Sequence, residues 1–166
     1  MIVLGIDPGL AATGYGVVGR AGGRLLALDG GVVETPPALA HAERLRVVYD
    51  AVCALIEEHS PDAMALEELY FGRNVSSAQT VGQARGVVML AAAQRSVPCA
   101  GYTPQQVKAA VCGSGRADKD QVARMVTALL ALAAQPFSDH AADALAVAVC
   151  HVNRAPLSAA LAGALA

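Results

Sequence analysis

Apolar residues run unbroken from Met1 to Ile6 and stop at Asp7, where Pro8-Gly9 ends the run. The pattern predicts a buried strand closed by a carboxylate. A second, glycine-rich strand is expected over Gly14-Tyr15-Gly16-Val17-Val18-Gly19. Gly22-Gly23 turns the chain into Arg24-Leu25-Leu26-Ala27-Leu28, which continues through Gly30-Gly31 to Val32-Val33-Glu34. Three strands joined by short turns predict an antiparallel meander, and Thr35-Pro36-Pro37 breaks it. Leu39, Leu45, Val48, Val52, Leu55 and Ile56 then recur at helical spacing, with charges between them, as far as Pro61. Ala63-Met64-Ala65-Leu66-Glu67 reads as a fourth strand, parallel to a neighbour because a helix precedes it.

Beyond it, a helix is expected from Asn74-Val75-Ser76-Ser77 to about Gln94, and a fifth strand over Val97-Pro98-Cys99-Ala100-Gly101-Tyr102. Thr103-Pro104 is a strong helix start, with Thr as N-cap and Pro in the first turn. Gly113-Ser114-Gly115 breaks that helix, Asp118 or Asp120 caps the next, and Ser138 caps a last one running to about Val152. The order predicts an α/β fold, a five-stranded mixed sheet flanked by helices. One domain is expected over residues 1–155, with residues 156–166 a flexible C-terminal tail.

Composition narrows the class. The chain has 166 residues, 55% of them apolar, enough for one domain with a core. Its mean hydropathy of +0.45 comes from alanine. Apolar stretches are interrupted before the ~18 residues a spanning helix needs, so no membrane role is expected. With no charged-then-apolar leader, a cytoplasmic protein is the expectation. Cys53, Cys99, Cys112 and Cys150 form no CxxC and are expected to be buried free thiols. Residues 1–72 carry a net charge of −6, residues 73–124 of +5 and residues 125–166 of −1. A basic middle beside an acidic pocket would suit a nuclease, although solvated helix faces give similar asymmetry.

The candidate chemistry lies in three carboxylate-bearing places. Asp7 closes a buried strand, where a lone charge is costly unless paired; the alternative is a turn aspartate bonding the backbone at Gly9. Glu67 and Glu68 follow a buried strand, and alternation sends them to opposite faces, so at most one serves any site. His140 and Asp143 share a face of the last helix, as do Asp139 and Asp143. Asp139 is equally well explained as a complement to the helix dipole, and His140 as a hydrogen-bonded histidine. Asp143, a turn inside between alanines, has no such account. Carboxylates from separate strands and a helix suit Mg²⁺ or Mn²⁺, and a two-ion site would activate water at a phosphodiester.

Together, Gly5-Ile6-Asp7-Pro8-Gly9 with Thr13-Gly14-Tyr15-Gly16, Ala65-Leu66-Glu67, Gly82-Gln83-Ala84-Arg85-Gly86 and the stretch Asp139-His140-Ala141-Ala142-Asp143-Ala144-Leu145-Ala146 resemble the RuvC-type Holliday junction resolvases, in matching order over residues 1–152. The resemblance implies a ribonuclease H-like fold, a homodimer, and Mg²⁺- or Mn²⁺-dependent incision of two opposed strands of a four-way DNA junction. It puts the acidic site on Asp7, Glu67 and Asp143, with His140 at a fourth position that is often aspartate. A histidine there would favour Mn²⁺ or act as a general base. Tyr70, with Phe71 beside it, falls on the junction-facing aromatic, although core packing would explain Phe71 equally well. Lys108 and Lys119 match active-site lysines. Arg73, Arg85 and Arg116 are candidates for DNA backbone contacts by charge and position. The RuvA–RuvB branch-migration complex is the partner the resemblance implies. The helix near Val87-Val88-Met89-Leu90-Ala91 is a candidate dimer interface or, equally, core.

Two other classes compete. A non-catalytic ribonuclease H-like module that binds junctions would explain a histidine at position 140. An actin- or sugar-kinase-like nucleotide-binding protein shares the Gly-x-Asp-x-Gly turn but needs a second lobe, for which this length leaves no room.

Overall fold

The strand that ends at Asp7 becomes the middle of the sheet because both its faces are apolar. The computed structural model describes residues 1–68, 75–136 and 138–164, with side chains left out at 75–77 and 156–164. Tyr70, Phe71 and Arg73 lie outside the described residues. The strands are β1 (Ile2–Asp7), β2 (Ala12–Ala21), β3 (Arg24–Glu34), β4 (Ala63–Glu67) and β5 (Cys99–Tyr102). The helices are α1 (His41–His59), α2 (Val75–Gln94), α3 (Pro104–Cys112), α4 (Lys119–Leu129) and α5 (Asp139–Ala164).

The sheet order is β3-β2-β1-β4-β5. The meander is antiparallel, with Ile2 opposite Gly19 and Asp7 opposite Gly14. β4 runs parallel to β1, from Val3↔Ala63 to Ile6↔Leu66, and β5 runs parallel to β4. Alternation divides the core in two. Leu4, Ile6, Val17, Met64 and Leu66 pack against Val48 and Val52 of α1 and Val88 and Ala91 of α2. Val3, Val18 and Ala65 face α3, α4 and α5, meeting Val107, Val126, Ala146 and Val149.

Local signals set the helix starts. Thr103 Oγ1 accepts the Gln106 amide at 3.2 Å, and the Thr103 amide donates to Gln106 Oε1 at 2.9 Å, a reciprocal cap ahead of Pro104. Of the two aspartates weighed for α4, Asp118 is the cap, accepting from the Gln121 amide at 2.8 Å. Ser138 Oγ accepts the His140 amide at 3.2 Å at the start of α5.

Two expectations need correction. The last helix does not stop near Val152 but continues to Ala164, because alanine- and leucine-rich sequence favours helix strongly enough to carry it past Pro156. Cys53 and Cys150 are buried, whereas Cys99 is exposed and Cys112 only partly covered. Cys99 opens β5, at the edge of the sheet, where one side of the strand has no neighbour.

Candidate active site

Asp7 and Glu67 end adjacent parallel strands, and alternation sends both side chains toward α5. Val3 and Ala65, four and two residues before them, point into the core that α5 covers. Leu66 packs on the opposite face with α1 and α2, so Glu68 belongs on that side. The glutamate pair is thereby resolved in favour of Glu67.

Helix α5 can bring its own polar turn to this edge because glycines let it lie on the sheet. A Cβ on Gly5 would sit 2.1 Å from the Ala144 carbonyl oxygen, and one on Gly14 would sit 2.0 Å from that of His140. No side chain could occupy either place. His140 Nδ1 consequently meets Asp7 Oδ2 at 2.6 Å. The turn after Asp7 is held by Thr13, not by the aspartate. The fully buried Thr13 hydroxyl donates to the Gly9 carbonyl at 2.6 Å and accepts its amide at 3.3 Å. This removes the reading of Asp7 as the structural residue of its own turn.

The electrostatics are those of crowded carboxylates. Burial pushes the Glu67 carboxyl up to about 7, with further upward pressure from Asp143 and then Asp7; Lys108 and Lys119 pull the other way. Burial also raises the Asp143 carboxyl, against the pull of Lys119, while Asp7 and Asp139 add to the rise. Lys119 Nζ lies 3.0 Å from Asp139 Oδ2 and 3.6 Å from Asp143 Oδ2. Asp139 is thus a partner for Lys119 at the start of α5, which is more than a dipole complement.

Among the described residues, no three His, Cys, Asp or Glu side chains already form a metal-ligand cluster. The contacts explain this physically. Asp7 is turned to His140 and Asp143 to Lys119, so each carboxylate meets a nitrogen rather than a shared cation. The donor set nevertheless suits a hard divalent ion. It comprises oxygen ligands from Asp7, Glu67 and Asp143 and one imidazole, and burial, with Asp143 and Asp7 adding to it, raises the Glu67 carboxyl to about 7.

Other sequence candidates fall at varying distances from this edge. Lys108 of α3 and Lys119 of α4 lie within electrostatic reach of Glu67. Arg116 is exposed in the α3–α4 loop, its amide donating to Ser114 Oγ at 3.3 Å. Arg85 is tied inward, Nη1 donating to the Glu67 carbonyl oxygen at 2.5 Å. Sequence reasoning valued Arg85 for its charge and did not see this bond, nor the Thr13 clasp. The signals were present in the glycine-framed Gly82-Gln83-Ala84-Arg85-Gly86 and in the threonine four residues after Gly9.

Comparison with known proteins gives the family. The family "Crossover junction endodeoxyribonuclease RuvC" matches residues 3–151. Proteins of that description from Chloroflexus aggregans and Pelotomaculum thermopropionicum are 52% and 50% identical over 156 and 153 residues, spanning 94% and 92% of this chain and 95% and 93% of their own. The structure of Thermus thermophilus RuvC in complex with a Holliday junction substrate superposes with a TM-score of 0.91 at 40% identity, covering 95% of this chain and 96% of that one. Yeast mitochondrial Ydc2, a Holliday junction resolvase, shares the fold at 13% identity and a TM-score of 0.66, with 95% of this chain and 82% of its own covered. The chain belongs to the RuvC family of crossover junction endodeoxyribonucleases.

Proposed function

We propose that the chain resolves four-way DNA junctions by paired, symmetric, metal-dependent hydrolysis of phosphodiester bonds, in recombination and repair. The observation that carries this reading is the convergence of Asp7, Glu67 and Asp143, from two strands and a helix, on one sheet edge, where Asp143 and Asp7 add to the burial that raises Glu67. Family membership and the junction-bound Thermus relative supply the substrate class.

Asp7, Glu67 and Asp143 would hold Mg²⁺ or Mn²⁺, with His140 as a fourth ligand or a proton acceptor. Bound there, the ions would supply Lewis-acid polarisation of the phosphate and a hydroxide at neutral pH. His140 Nδ1 and Asp7 Oδ2 form a charge-assisted pair that orients the imidazole, so Nε2 is the nitrogen able to take up a proton. Lys119 and Lys108 bring positive charge to the same edge, where they would oppose the charge that develops on phosphate. Asp139 keeps Lys119 beside Asp143. Tyr70, Phe71, Arg73 and Arg116 are the remaining candidates for DNA contact.

A two-fold junction cut symmetrically calls for two equivalent sites, which a C₂ homodimer provides. Met89 and Leu90 of α2 are exposed, and Leu90 and Val87 share an apolar patch with Leu45 and Tyr49 of α1. This patch is the proposed interface, and Leu90→Glu should give monomers in sedimentation equilibrium. Among the described residues no helix is long and apolar enough to cross a membrane. A cytoplasmic setting and a handover from a RuvA–RuvB branch-migration complex complete the reading.

The test is cleavage of a synthetic four-way junction in Mg²⁺ and in Mn²⁺. Wild type should cut opposed strands, while Asp7→Asn should bind the junction and leave it whole. Cleavage that persists in EDTA would refute the mechanism.

A further inference from the structure

We propose that Arg85 is a positioning residue for the Glu67 carboxylate rather than a ligand for DNA phosphate, a role that rests on the nuclease reading above. β4 ends at Glu67, and its pairing with β1 stops one residue earlier, at Ile6↔Leu66. On the other side the Glu68 amide continues the β5 ladder, donating to the Tyr102 carbonyl at 2.7 Å. Glu67 therefore stands at the last supported residue of the strand, gripped from β5 but past the final rung with β1. Arg85 supplies the missing grip. Its Nη1 donates to the Glu67 carbonyl oxygen at 2.5 Å, a charge-assisted bond to the main chain of the residue whose side chain carries the chemistry.

The arrangement is built rather than incidental. Ala84 and Val88, on either side of Arg85 in α2, are fully buried and lock that stretch of helix to the sheet. Arg85 itself is half-buried. Gly101 of β5 borders the guanidinium, since a Cβ there would crowd Glu68 Oε1 at 3.0 Å and reach contact distance from Arg85 Nη2 at 3.4 Å. The guanidinium works from the α2 face, while the Glu67 carboxylate projects toward α5. Carbonyl and side chain share one Cα, so holding the first sets the direction of the second. A phosphate ligand would instead present its donors to solvent.

The experiment measures two quantities on a synthetic four-way junction. One is affinity in metal-free buffer across salt concentrations, and the other is single-turnover cleavage with enzyme in excess and Mn²⁺ varied. Arg85→Met should bind the junction with wild-type affinity and salt slope. Its cleavage of bound junction should fall about tenfold or more, with a higher Mn²⁺ concentration at half-maximal rate. Arg85→Lys, which keeps one donor, should recover part of the rate. Gly101→Ala, whose Cβ would press on Glu68 Oε1 and touch the neighbouring guanidinium, should show the same split in milder form and serves if Arg85→Met does not fold.

Weakened affinity with the salt slope reduced by about one, at an unchanged cleavage rate, would make Arg85 a phosphate contact and overturn the proposal. Wild-type rates in Arg85→Met and Gly101→Ala would overturn it too, while leaving the nuclease reading intact. Wild-type protein that binds the junction but cuts in neither metal would remove that reading, and this proposal with it.

Discussion

Leu4 and Gly5 are neighbours on β1 and face opposite layers, and the two layers are packed on different principles. Leu4 points to α1 and α2 among Ile6, Val17, Met64 and Leu66, large side chains that hold the helices off at ordinary distance. Gly5 points to α5, whose backbone comes so near that a Cβ would meet the Ala144 carbonyl at 2.1 Å. The first layer is a cohesive support, adjustable by side-chain repacking. Where α5 crosses Gly5 and Gly14, the second is a backbone-on-backbone contact that side-chain repacking cannot relieve. The candidate carboxylates sit at the edge of the second, which brings Asp143 and His140, on a helix, to the same edge as Asp7 and Glu67, on strands. Stability and site geometry are therefore separable, one governed mainly from each face.

The sharpest way to break that comparison is to substitute both neighbours. Gly5→Ala forces α5 away from the sheet, since the obstruction is main chain rather than a flexible side-chain end. It should cost about 3 kcal/mol or more, and the protein that still folds should cut junctions far more slowly than wild type. Leu4→Ala leaves a cavity in the other layer, at a cost of about 2–4 kcal/mol. Its folded fraction should retain close to wild-type cleavage. Urea denaturation and single-turnover cleavage on the same preparations separate the two effects. Equal losses of activity per folded molecule would mean the layers are not distinct.

The same contrast explains what could be read from the chain. Strands and helices were legible because both layers follow hydrophobic periodicity, and the caps at Thr103 and Asp118 are short-range signals. Asp7 was legible because a carboxylate closing an apolar run is costly by itself. Alternation alone could not tell Glu67 from Glu68; the resemblance pointed to Glu67, and the physical reason appears only when Ala65 and Leu66 are assigned to faces, which needs to know which helix covers which side. The pairings Lys119–Asp139 and Arg85–Glu67 cross between successive elements, and His140–Asp7 spans almost the whole chain, so none of them falls within the reach of helical or strand periodicity. The continuation of α5 was missed because Pro156 and Gly163 read locally as punctuation, while the surrounding alanines and leucines carry the helix on.

A smaller effect comes from the charges, where the layers differ again. The Glu67 carboxyl titrates at about 7 in the folded protein, above its ordinary 4.5, so the folded form binds the proton more tightly than the unfolded one. Its contribution to the stability of metal-free protein is complete below about pH 4.5 and is lost as pH rises through 7. Glu67→Gln should flatten that part of the pH–stability curve and raise the metal-free Tm at pH 8. Wild-type protein should instead regain Tm at pH 8 when Mn²⁺ is added, and the Gln variant should gain less. An unaltered slope in Glu67→Gln would show that neither burial nor the neighbouring carboxylates raise Glu67 in the folded protein.

On the outer side of the other layer, Glu57 of α1 accepts from Arg95 Nη2 at 2.7 Å and Nε at 3.3 Å, a closer contact than any Lys119 makes at the catalytic edge. Distance alone would rank it first. Closeness does not decide the effect, because the Glu57 side chain is 68% exposed and water already satisfies its charge, whereas Glu67 is partly buried beside Asp143 and Asp7. Glu57→Gln should therefore move Tm by no more than about 2 °C and leave its pH dependence alone. A pH-dependent loss as large as that set by Glu67 would mean that proximity, not burial beside like charges, governs this protein's electrostatics. The crowding of Asp7, Glu67 and Asp143 would then lose its standing as the mark of a cation site.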